Sequence, residues 1–481
     1  MLFNSFAFLL FFIVFFFLYW FLVNRNIKFQ NLLLLFGSYV FYSFTDWRFL
    51  FFLIGVSALN YLLGVYIEQA TKYKRLLMYI GLLQGIGGLA FFKYFNFFIT
   101  SFNDAFHSLN VNLNLQTLNI LIPLGISFFT FRTISYVLDV YNENIKATKD
   151  WVVFFNYVSF FPALLSGPID KAGLFIPQLE RERVFDYNQA SNGMRQILWG
   201  LFKKVVIADN CSIFVNEIFN NYTDYSGATL LLGAFFFTFQ LYADFSGYSD
   251  MAIGFSRLLG FNITKNFDFP FFSQNIAEFW RKWHISLTSW LTEYVFTPLS
   301  FNFRNLGKLG LIFAIIINFT ICGIWHGANW TYILFGFLHG CFFIPLILKG
   351  TLNKKKKIAK GKLCPSIREF INMLMTFTLV LLTFILFRSE TIADALEYIS
   401  GIFSNSLATI PQLISPKLNM IYTLFCLFIF ITIEWLNREK DHGLEITHLK
   451  TKYRWIIYSL VALLIITFGA FSNNEFIYSQ F

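Results

Sequence analysis

GLIFAIIINFTICGIWHGANWTYILFGFLHGCFFIPLIL, residues 310–348, is the most informative stretch of the chain. Two apolar runs, 310–324 and 331–348, are each close to membrane-span length and flank a short polar turn that contains His326. An ionisable side chain between two such runs is costly, so function is the default hypothesis. Histidine also exchanges protons near neutral pH. The alternative is an ordinary loop histidine at a membrane surface.

The composition of the chain is that of a membrane protein. Of its 481 residues, 57% are hydrophobic and only 13% are charged. Apolar runs of about 18 residues recur along the whole length, which is the pattern of transmembrane helices. We predict an all-α, polytopic transmembrane fold that forms one integral-membrane unit, residues 1–481, around a central cavity or tunnel. Membrane lipids are then its first partners.

Charge, cysteine content and the first residues narrow the class further. The net charge is +10, but the basic residues fall in short loops, where membrane topology explains them better than nucleic-acid binding does. The five cysteines show no paired spacing, so we expect neither a disulfide framework nor a metal site. Residues 2–23 lack a basic start and a small-residue cleavage site, and are predicted to be the first span rather than a signal peptide.

About twelve membrane spans are predicted from the apolar runs. They cover residues 4–23, 30–45, 48–67, 77–100, 117–138, 194–217, 229–251, 309–325, 330–349, 369–388, 418–436 and 454–472. This number places the basic loops on one side of the membrane and the loops poor in Lys and Arg on the other. By the positive-inside rule, both termini then lie outside the cytoplasm, and the His326 turn lies toward the non-cytoplasmic side.

Two apolar segments do not fit a simple span. Residues 151–170 contain Pro162, Gly167 and Pro168, and residues 269–300 carry charged and ionisable side chains. Irregular or charged backbone persists at membrane depth only where protein buries it or water reaches it. We predict re-entrant or interfacial helices that line a cavity. The alternative is that both segments lie flat on the cytoplasmic surface as amphipathic helices.

Residues 279–290, FWRKWHISLTSW, form the densest cluster of polar and aromatic side chains. On a continuous helix, four of them share one face: Trp280, Trp283, His284 and Leu287. An interfacial helix with tryptophan anchors explains Arg281 but explains His284 less well, because the aromatic face should pack on protein. We expect His284, Trp283 and Arg281 to support the site or to line its cavity.

Asp244 is a further candidate, in the segment QLYADFSGYSD at 240–250, which follows a strongly apolar run. A buried aspartate needs a partner, and the candidates are Arg281, Lys282 and His284. A structural ion pair and a role in catalysis both stay open for Asp244.

The remaining histidines and the known motifs add little. His339 lies within the span after the turn and is expected to be an interior side chain with its hydrogen bonds satisfied. His107, His442 and His448 lie in polar loops, and no role is assigned to them. No phosphate-binding glycine motif, nucleophile elbow or HExxH metal motif is present in the sequence.

Together these segments resemble the membrane-bound O-acyltransferase family, and most closely its AlgI-like branch, which O-acetylates alginate and other exported polysaccharides. The resemblance runs from about residue 5 to 345, which implies a core at 1–345 followed by three further spans in 346–481. Its landmarks are PLGISF (123–128), SY and DVY (135–136, 139–141), FP and SGPI (161–162, 166–169), FKK and AD (202–204, 208–209), Tyr242 with DFSGYSDMA (244–252), residues 278–287, and Trp-His-Gly at 325–327.

The resemblance implies roles for individual residues. His326 matches the presumed catalytic histidine of the family, and His284 matches the histidine of its Arg-Arg-Trp-His segment, where this chain has Lys282 in place of the second arginine. A sharper departure follows: the family commonly carries Asp-Tyr and then Leu-Gly-Gly-Asn, whereas this chain has Glu293-Tyr294 and TPLSFN at 297–302. Loss of both glycines changes the backbone freedom of this loop, so docking of a donor or carrier is expected to differ.

The implied reaction is acyl transfer across the cell inner membrane. An acetyl group passes from a cytoplasmic thioester, either acetyl-CoA or an acyl carrier, to a hydroxyl of an exported polysaccharide, directly or through an extracytoplasmic acetyl-transfer protein. No tightly bound cofactor is expected. His326 accepts the hydroxyl proton, and Asn329, Trp325 or His284 donates to the oxyanion. An acyl-histidine intermediate is the alternative for His326.

Two other functions stay open. D-alanyl transfer to teichoic acid is carried out by a related protein with the same Trp-His-Gly turn. A transporter or exporter subunit without chemistry of its own would also have broken spans and intramembrane charges, although the sequence has no internal repeat of the usual transporter kind.

Overall fold

The computed structural model describes residues 1–23, 26–352, 354, 357–471 and 476–477. Within these ranges every regular element is helical, which confirms the all-α prediction. The chain divides into two compact units, Met1–Ser191 with Phe255–Thr264 (unit 1) and Asn192–Gly254 with Lys265–Phe481 (unit 2). The core at 1–345 that the resemblance implied stays a prediction.

Eight helices within the described residues are long and apolar enough to cross a membrane, which confirms a polytopic membrane protein. They are Ile27–Gln69, Lys74–Ser108, Gly227–Leu258, Arg304–His326, Trp330–Leu348, Ile367–Arg388, Lys417–Leu436 and Thr451–Phe468, and the shorter apolar helix Phe6–Leu22 precedes them. The predicted number of about twelve is larger because some predicted spans are joined, shortened or interrupted.

Unit 1 begins with a series of apolar helices. Its described helices are α1 Phe6–Phe17 with the π-helical turn Leu18–Leu22, α2 Ile27–Gln69, α3 Lys74–Leu89 with the π-helical turn Ala90–Tyr94, α4 Phe95–Ser108, α5 Ile126–Tyr141, α6 Trp151–Ser159, α7 Phe161–Leu164, α8 Ala172–Leu179 and the start of α9, Tyr187–Phe202.

Helix α2 contains two of the predicted spans. Its 43 residues are interrupted at Asp46, whose φ of −159° and ψ of 112° are not helical. The break falls between the predicted spans 30–45 and 48–67. The Asp46 carboxylate accepts from the backbone N–H of Arg48, 3.0 Å away, and pairs with its guanidinium at 2.6 Å. Asp46 thus supports the restart of the helix, as an N-cap residue does.

The predicted span at 117–138 is wrong in its first part. Helix α5 begins only at Ile126, and residues 111–123 have no helical structure. Two asparagines of α4 hold this extended segment. Asn96 exchanges hydrogen bonds with both backbone groups of Leu118, and Asn103 does the same with Leu115. Side-chain amides therefore satisfy backbone groups that a helix would otherwise have paired internally.

The irregular segment at 151–170 is mostly buried inside unit 1. This agrees with the prediction that protein or water must cover its irregular backbone. It forms α6 and α7, which are separated by extended backbone at Phe160. Arg132 of α5 is 2% exposed and donates to the carbonyls of Tyr157, Ala163 and Pro168 at 3.0–3.3 Å. A guanidinium with several carbonyl partners satisfies the backbone groups that the break leaves free. A surface helix is thus the wrong interpretation of this segment.

Unit 2 contains the rest of the helices. Those described are the remainder of α9, joined by the π-helical segment Lys203–Ala208 to α10 Asp209–Asn220, then α11 Gly227–Leu258, α12 Ile276–Lys282, α13 Ile285–Leu291, the π-helical turn Thr292–Phe296, α14 Thr297–Asn302, α15 Gly307–His326, α16 Trp330–Cys341, α17 Ile344–Leu348, α18 Ile367–Arg388, α19 Ile392–Ile402, α20 Lys417–Leu436 and α21 Thr451–Phe468. Short 3-10 turns occupy Tyr222–Asp224, Pro270–Phe272, Arg304–Leu306 and Asn405–Ala408.

Helices α15 and α16 form a tight hairpin around the His326 turn. A Cβ atom placed on Gly323 would lie 2.1 Å from the Tyr332 carbonyl oxygen, and one on Gly336 would lie 2.2 Å from the Phe319 carbonyl oxygen. Only glycine allows the two backbones to approach this closely, which is a common way for membrane helices to pack. The close approach fixes the position of the turn that follows His326.

Candidate active site

His326 is the last residue of α15 and is only 2% exposed. Its ring lies 5.0 Å from the Trp325 ring, 5.0 Å from that of Phe387 and 6.2 Å from that of Phe335, measured between centroids. Its Nε2 atom is 3.9 Å from the Cys322 sulfur, one helical turn earlier. The alternative of an exposed loop histidine is therefore wrong, because protein surrounds the imidazole.

Two aromatic side chains pack together beside the His326 turn. A Cβ atom on Gly327 would lie 2.2 Å from the Tyr332 ring, so a side chain at this position would displace that ring. Tyr332 in turn packs edge-on against Phe387 at 4.8 Å. The glycine of the Trp-His-Gly turn thus has a packing role.

His284 is fully buried, but the backbone around it is not the continuous helix predicted from the sequence. Helix α12 ends before Trp283, which is extended, and His284 adopts a left-handed conformation with φ of 47° and ψ of 54° before α13 starts. The single-helix prediction is therefore wrong. The four side chains of its predicted face, Trp280, Trp283, His284 and Leu287, are nevertheless all buried.

Trp325 brings the two histidines into one cluster. Its ring centroid is 5.0 Å from that of His326 and 5.5 Å from that of His284. Phe245 packs edge-on against His284 at 4.6 Å. Three of the predicted site residues, His326, Trp325 and His284, are therefore neighbours, although His284 lies between α12 and α13 and precedes His326 at the end of α15 by 42 positions.

Trp283 lies one ring away from this cluster. Phe267 contacts Trp283 edge-on at 5.1 Å and lies nearly parallel to His284 at 6.4 Å. Trp283 also packs on Phe384 at 5.3 Å. Trp283 therefore packs against Phe267, which in turn packs against His284. A supporting role for Trp283 would act through Phe267 and not through contact with His326.

Asn329 caps a helix. Its side-chain oxygen accepts from the Thr331 N–H at 3.0 Å, which makes it the N-cap of α16, and its amide donates to the Glu390 carbonyl at 2.8 Å. Both ends of the amide are thus engaged by backbone groups. This geometry favours a capping role for Asn329 over the predicted oxyanion contact.

Substitutions at Asn329 are expected to separate these two roles. Asn329→Ser keeps an N-cap oxygen and is expected to retain most of the activity, whereas Asn329→Ala is expected to cost about 1 kcal/mol of stability. Thermal melting in detergent and acyl-transfer activity would be measured for both variants. Removal of one oxyanion donor typically lowers kcat by about 10²–10³-fold, so a loss of that size in Asn329→Ser would restore the oxyanion role.

Arg281 lies away from the buried rings. It is exposed and donates to the Leu352 carbonyl at 3.3 Å, while the neighbouring Lys282 pairs with Glu278 at 2.9 Å. The prediction that Arg281 lines a cavity is thus corrected to a position at the surface of unit 2. The interfacial interpretation of the two basic residues fits this placement.

Asp244 is buried in a network that the sequence analysis did not foresee. Its carboxylate pairs with Lys204 at 2.8 Å and accepts from the Ile477 N–H at 2.7 Å. Lys204 also pairs with Asp209 at 2.9 Å. The predicted partners of Asp244, namely Arg281, Lys282 and His284, are therefore wrong. Lys204 and Asp209 lie in the FKK and AD landmarks at 202–204 and 208–209. The sequence of these landmarks does not show which charged side chains come into contact in the fold.

A second buried lysine stands beside the first. Lys203 pairs with Asp250 at 3.0 Å and with Glu434 at 3.2 Å, and the Tyr242 hydroxyl donates to Glu434. Both lysines lie on the π-helical segment Lys203–Ala208. A π-helical turn inserts an extra residue into a helix and is frequent at functional sites. Here it directs two consecutive lysines into the interior of unit 2.

His339 is an interior histidine with satisfied hydrogen bonds, as predicted. The Trp280 indole N–H donates to its Nδ1 at 3.1 Å, and its Nε2 lies 2.9 Å from the Thr383 hydroxyl. Since Trp280 is only a donor, Nδ1 is an acceptor, and the neutral ring carries its proton on Nε2. The hydrogen bonds of His339 with Trp280 and Thr383 give it a structural role, which makes it a useful control for His326.

Unit 2 also contains a small polar pocket. Its lining residues come from the π-helical segment Lys203–Ala208, α11, the segment before α12 and the loop before α21: Lys203, Tyr242, Ser246, Ser249, Asp250, Ile253, Lys265, Asn266, Phe267, Phe269, Asp441, His442 and Gly443. Within the described residues, the Ser246 hydroxyl is buried and has no hydrogen-bond partner. Phe267 separates this pocket from the His284 ring.

His442 lines this pocket, although no role was assigned to it from the sequence. It is 2% exposed, and its Nε2 lies 2.8 Å from the Asn192 side-chain oxygen, while its Nδ1 accepts from the Leu444 N–H. A histidine in a polar loop between spans gave no signal of burial. Only the folded loop shows that His442 packs into unit 2.

The fold and the site define a polytopic membrane protein with a buried pair of histidines around a tryptophan. The model of the MBOAT family, the membrane-bound O-acyltransferases, matches residues 145–387, a range that includes His284 and His326. The chain belongs to the membrane-bound O-acyltransferase family and is an acyltransferase.

Individual relatives support this membership over most of the chain. The probable alginate O-acetylase AlgI of Pseudomonas syringae pv. tomato is 34% identical over 453 residues, which is 92% of this chain and 84% of the relative. The peptidoglycan O-acetyltransferase of Helicobacter pylori is 34% identical over 405 residues, 78% of this chain and 74% of the relative. The teichoic acid D-alanyltransferase of Streptococcus thermophilus is 31% identical over 284 residues, 55% of this chain and 68% of the relative.

Proposed function

We propose that this acyltransferase moves an acetyl group from a cytoplasmic thioester to a hydroxyl of an exported polysaccharide in the cell inner membrane, with both termini outside the cytoplasm. The observation that carries the proposal is the buried cluster of His326, Trp325 and His284 beside a tight pair of membrane helices. The O-acetylases that resemble the chain over most of its length support acetyl as the group and a polysaccharide as the acceptor.

The chemistry requires a base and an oxyanion donor. The acceptor hydroxyl attacks the thioester carbonyl, a C–O bond forms, the C–S bond breaks, and the hydroxyl proton passes through a base to the leaving thiolate. A neutral His326 imidazole is the proposed base. His284, on the other side of the Trp325 indole, is the proposed donor to the oxyanion, because its ring faces the same aromatic cluster.

The polar pocket of unit 2 is the proposed approach of the donor. The loop that contributes Asp441, His442 and Gly443 is cytoplasmic under the positive-inside assignment, and the ring of Phe267, another lining residue, lies 6.4 Å from the His284 ring. The two lysines and two aspartates of its lining balance in charge. The unmatched Ser246 hydroxyl offers a hydrogen bond to a polar group of the donor.

D-alanyl transfer is the second candidate, and it is the less well supported of the two. The D-alanyltransferase resembles about half of this chain, whereas the O-acetylases resemble most of it. Transport without chemistry is a weaker candidate still, because membership of an acyltransferase family favours group transfer. The proposal covers direct acetylation of the polysaccharide and relay through an extracytoplasmic protein. It also covers acetyl-CoA and an acyl carrier as the donor.

The test is a chemical analysis of the cell-surface polymers. A deletion strain, and the same strain carrying the intact gene, would be grown with ¹³C-acetate, and the ester-linked groups released by mild base would be identified by mass spectrometry. We expect labelled acetate to disappear from one polysaccharide in the deletion strain and to return with the gene. Loss of ester-linked alanine instead would establish the second candidate, and an unchanged ester profile would contradict both.

A further inference from the structure

The helix break that positions His284 is held at both ends by one short segment, residues 266–268. The Asp268 N–H donates to the Lys282 carbonyl at 2.9 Å, and the Ile285 N–H donates to the Asn266 carbonyl at 2.8 Å. These two hydrogen bonds bracket Trp283 and His284. The backbone groups that would have continued the helix are thus paired with another part of the chain.

The side chain of Asn266 adds a cap to α13. Its Oδ1 accepts from the Ser286 N–H at 3.2 Å and from the Ser286 hydroxyl at 3.0 Å, and its Nδ2 donates to the Ser249 hydroxyl at 3.2 Å. Ser286 is the second residue of α13, and its N–H is one that an N-cap side chain normally satisfies. The N-cap residue itself is His284, whose side chain makes no such bond.

Asn266, and not the side chain of His284, caps the start of α13. A side chain at an N-cap position usually turns back toward the helix, but the His284 ring packs between Phe245 and Trp325 instead. The left-handed backbone of His284 is unusual for a residue with a Cβ atom, and such conformations persist only where surrounding contacts hold them. Asn266, which is fully buried, supplies those contacts.

We propose that Asn266 is a positioning residue for the acyl-transfer site, and that it acts through His284. The inference rests on the proposed function, in which His284 serves the reaction. The side-chain hydrogen bonds of Asn266 go to Ser249 and Ser286, and not to the ring of His284 or to His326. Its effect is to place the His284 imidazole against Trp325, and to place the Phe267 ring nearly parallel to that imidazole.

The placement itself can be measured without any substrate. The chain has six histidines, so ring signals from ¹³C-histidine can be assigned by NMR in lipid nanodiscs with single His→Gln variants. In Asn266→Ala we expect the His284 signal to shift or broaden while that of His339 stays in place. Asn266→Asp keeps the acceptor oxygen, and the Ser249 hydroxyl can donate to it, so this variant is expected to preserve the His284 signal.

The matched control is Asn210→Ala. Asn210 is another asparagine of unit 2, and its amide donates to the carbonyls of Val206 and Phe468. Its loss is expected to leave the His284 signal unchanged. If Asn266→Ala fails to accumulate in the membrane, Ser286→Ala removes one partner of the Asn266 oxygen and serves in both measurements. An unchanged His284 signal in Asn266→Ala, or in Ser286→Ala where that variant replaces it, would overturn the inference.

Activity provides the second measurement. Displacement of a catalytic group by about 1 Å can cost about 10²-fold in rate, so we expect Asn266→Ala to lower acetyl transfer by about 10- to 100-fold. In a His284→Ala background, the same substitution is expected to cost almost nothing more, because its effect passes through His284. Asn210→Ala is expected to lower activity by the same factor in both backgrounds.

An equal loss from Asn266→Ala in both backgrounds would show a merely structural role and reject the proposal. Failure of the proposed function has a different signature. In that case His326→Gln leaves acetylation intact, whereas the NMR result on His284 stands by itself.

Discussion

His326→Gln is expected to lower acetyl transfer by about 10²–10⁴-fold, because it removes the proposed general base. Glutamine is close to histidine in size and can keep a hydrogen-bonding group near Cys322, so the aromatic packing around position 326 should survive. The measurement is the ester-linked acetate on the exported polymer, normalised to the amount of the variant in the membrane. A variant that accumulates normally and acetylates fully would contradict the assignment.

His339→Gln is the matched control for this substitution. Both histidines are buried in the α15–α16 hairpin and both contact Phe335, at 6.2 Å and 4.4 Å between ring centroids. Glutamine at 339 can still accept from Trp280 and donate to Thr383. We therefore expect a modest loss of thermal stability and little loss of acetyl transfer. Equal losses of activity at both positions would indicate that the hairpin, rather than the His326 imidazole, is what the reaction needs.

The features of the fold that depend on composition were predictable from the sequence. Apolar run length sets the membrane helices, and it correctly located the paired helices on either side of His326. Burial of the stripe formed by Trp280, Trp283, His284 and Leu287 was also predictable, because one face of aromatic residues must pack on protein. The break inside that stripe was not predictable, because it is held by hydrogen bonds to residues 266–268, which lie outside the helical segment.

The charged interior shows the same limit. That Asp244 needed a cation followed from the cost of burying a charge, but no sequence pattern distinguished Lys204 from Arg281 as its partner. The choice depends on the π-helical turn at Lys203–Ala208, which rotates both lysines inward. Likewise, the burial of His442 depends on how its loop folds, and loop conformation is not set by hydrophobic periodicity.

Lys204→Met is expected to destabilise the protein by about 3–5 kcal/mol, because it leaves two buried carboxylates without their cation. Asp209 and Asp244 are 2% exposed each, and both pair with the Lys204 ammonium. Methionine fills nearly the same volume as lysine, so the loss isolates charge from packing. The measurements are abundance in the membrane and the thermal transition of the detergent-solubilised protein.

The triple variant Lys204→Met, Asp209→Asn, Asp244→Asn removes the two carboxylate charges together with the lysine. It tests whether the unpaired carboxylates cause the loss of stability in Lys204→Met. Replacing every member of a buried charge network by neutral groups of similar shape costs far less than removing one partner. An asparagine at 244 also keeps an oxygen for the Ile477 N–H. We expect the triple variant to recover most of the stability that Lys204→Met loses. If it is no more stable than Lys204→Met, the two unpaired carboxylates are not the cause of the loss, and the explanation is wrong.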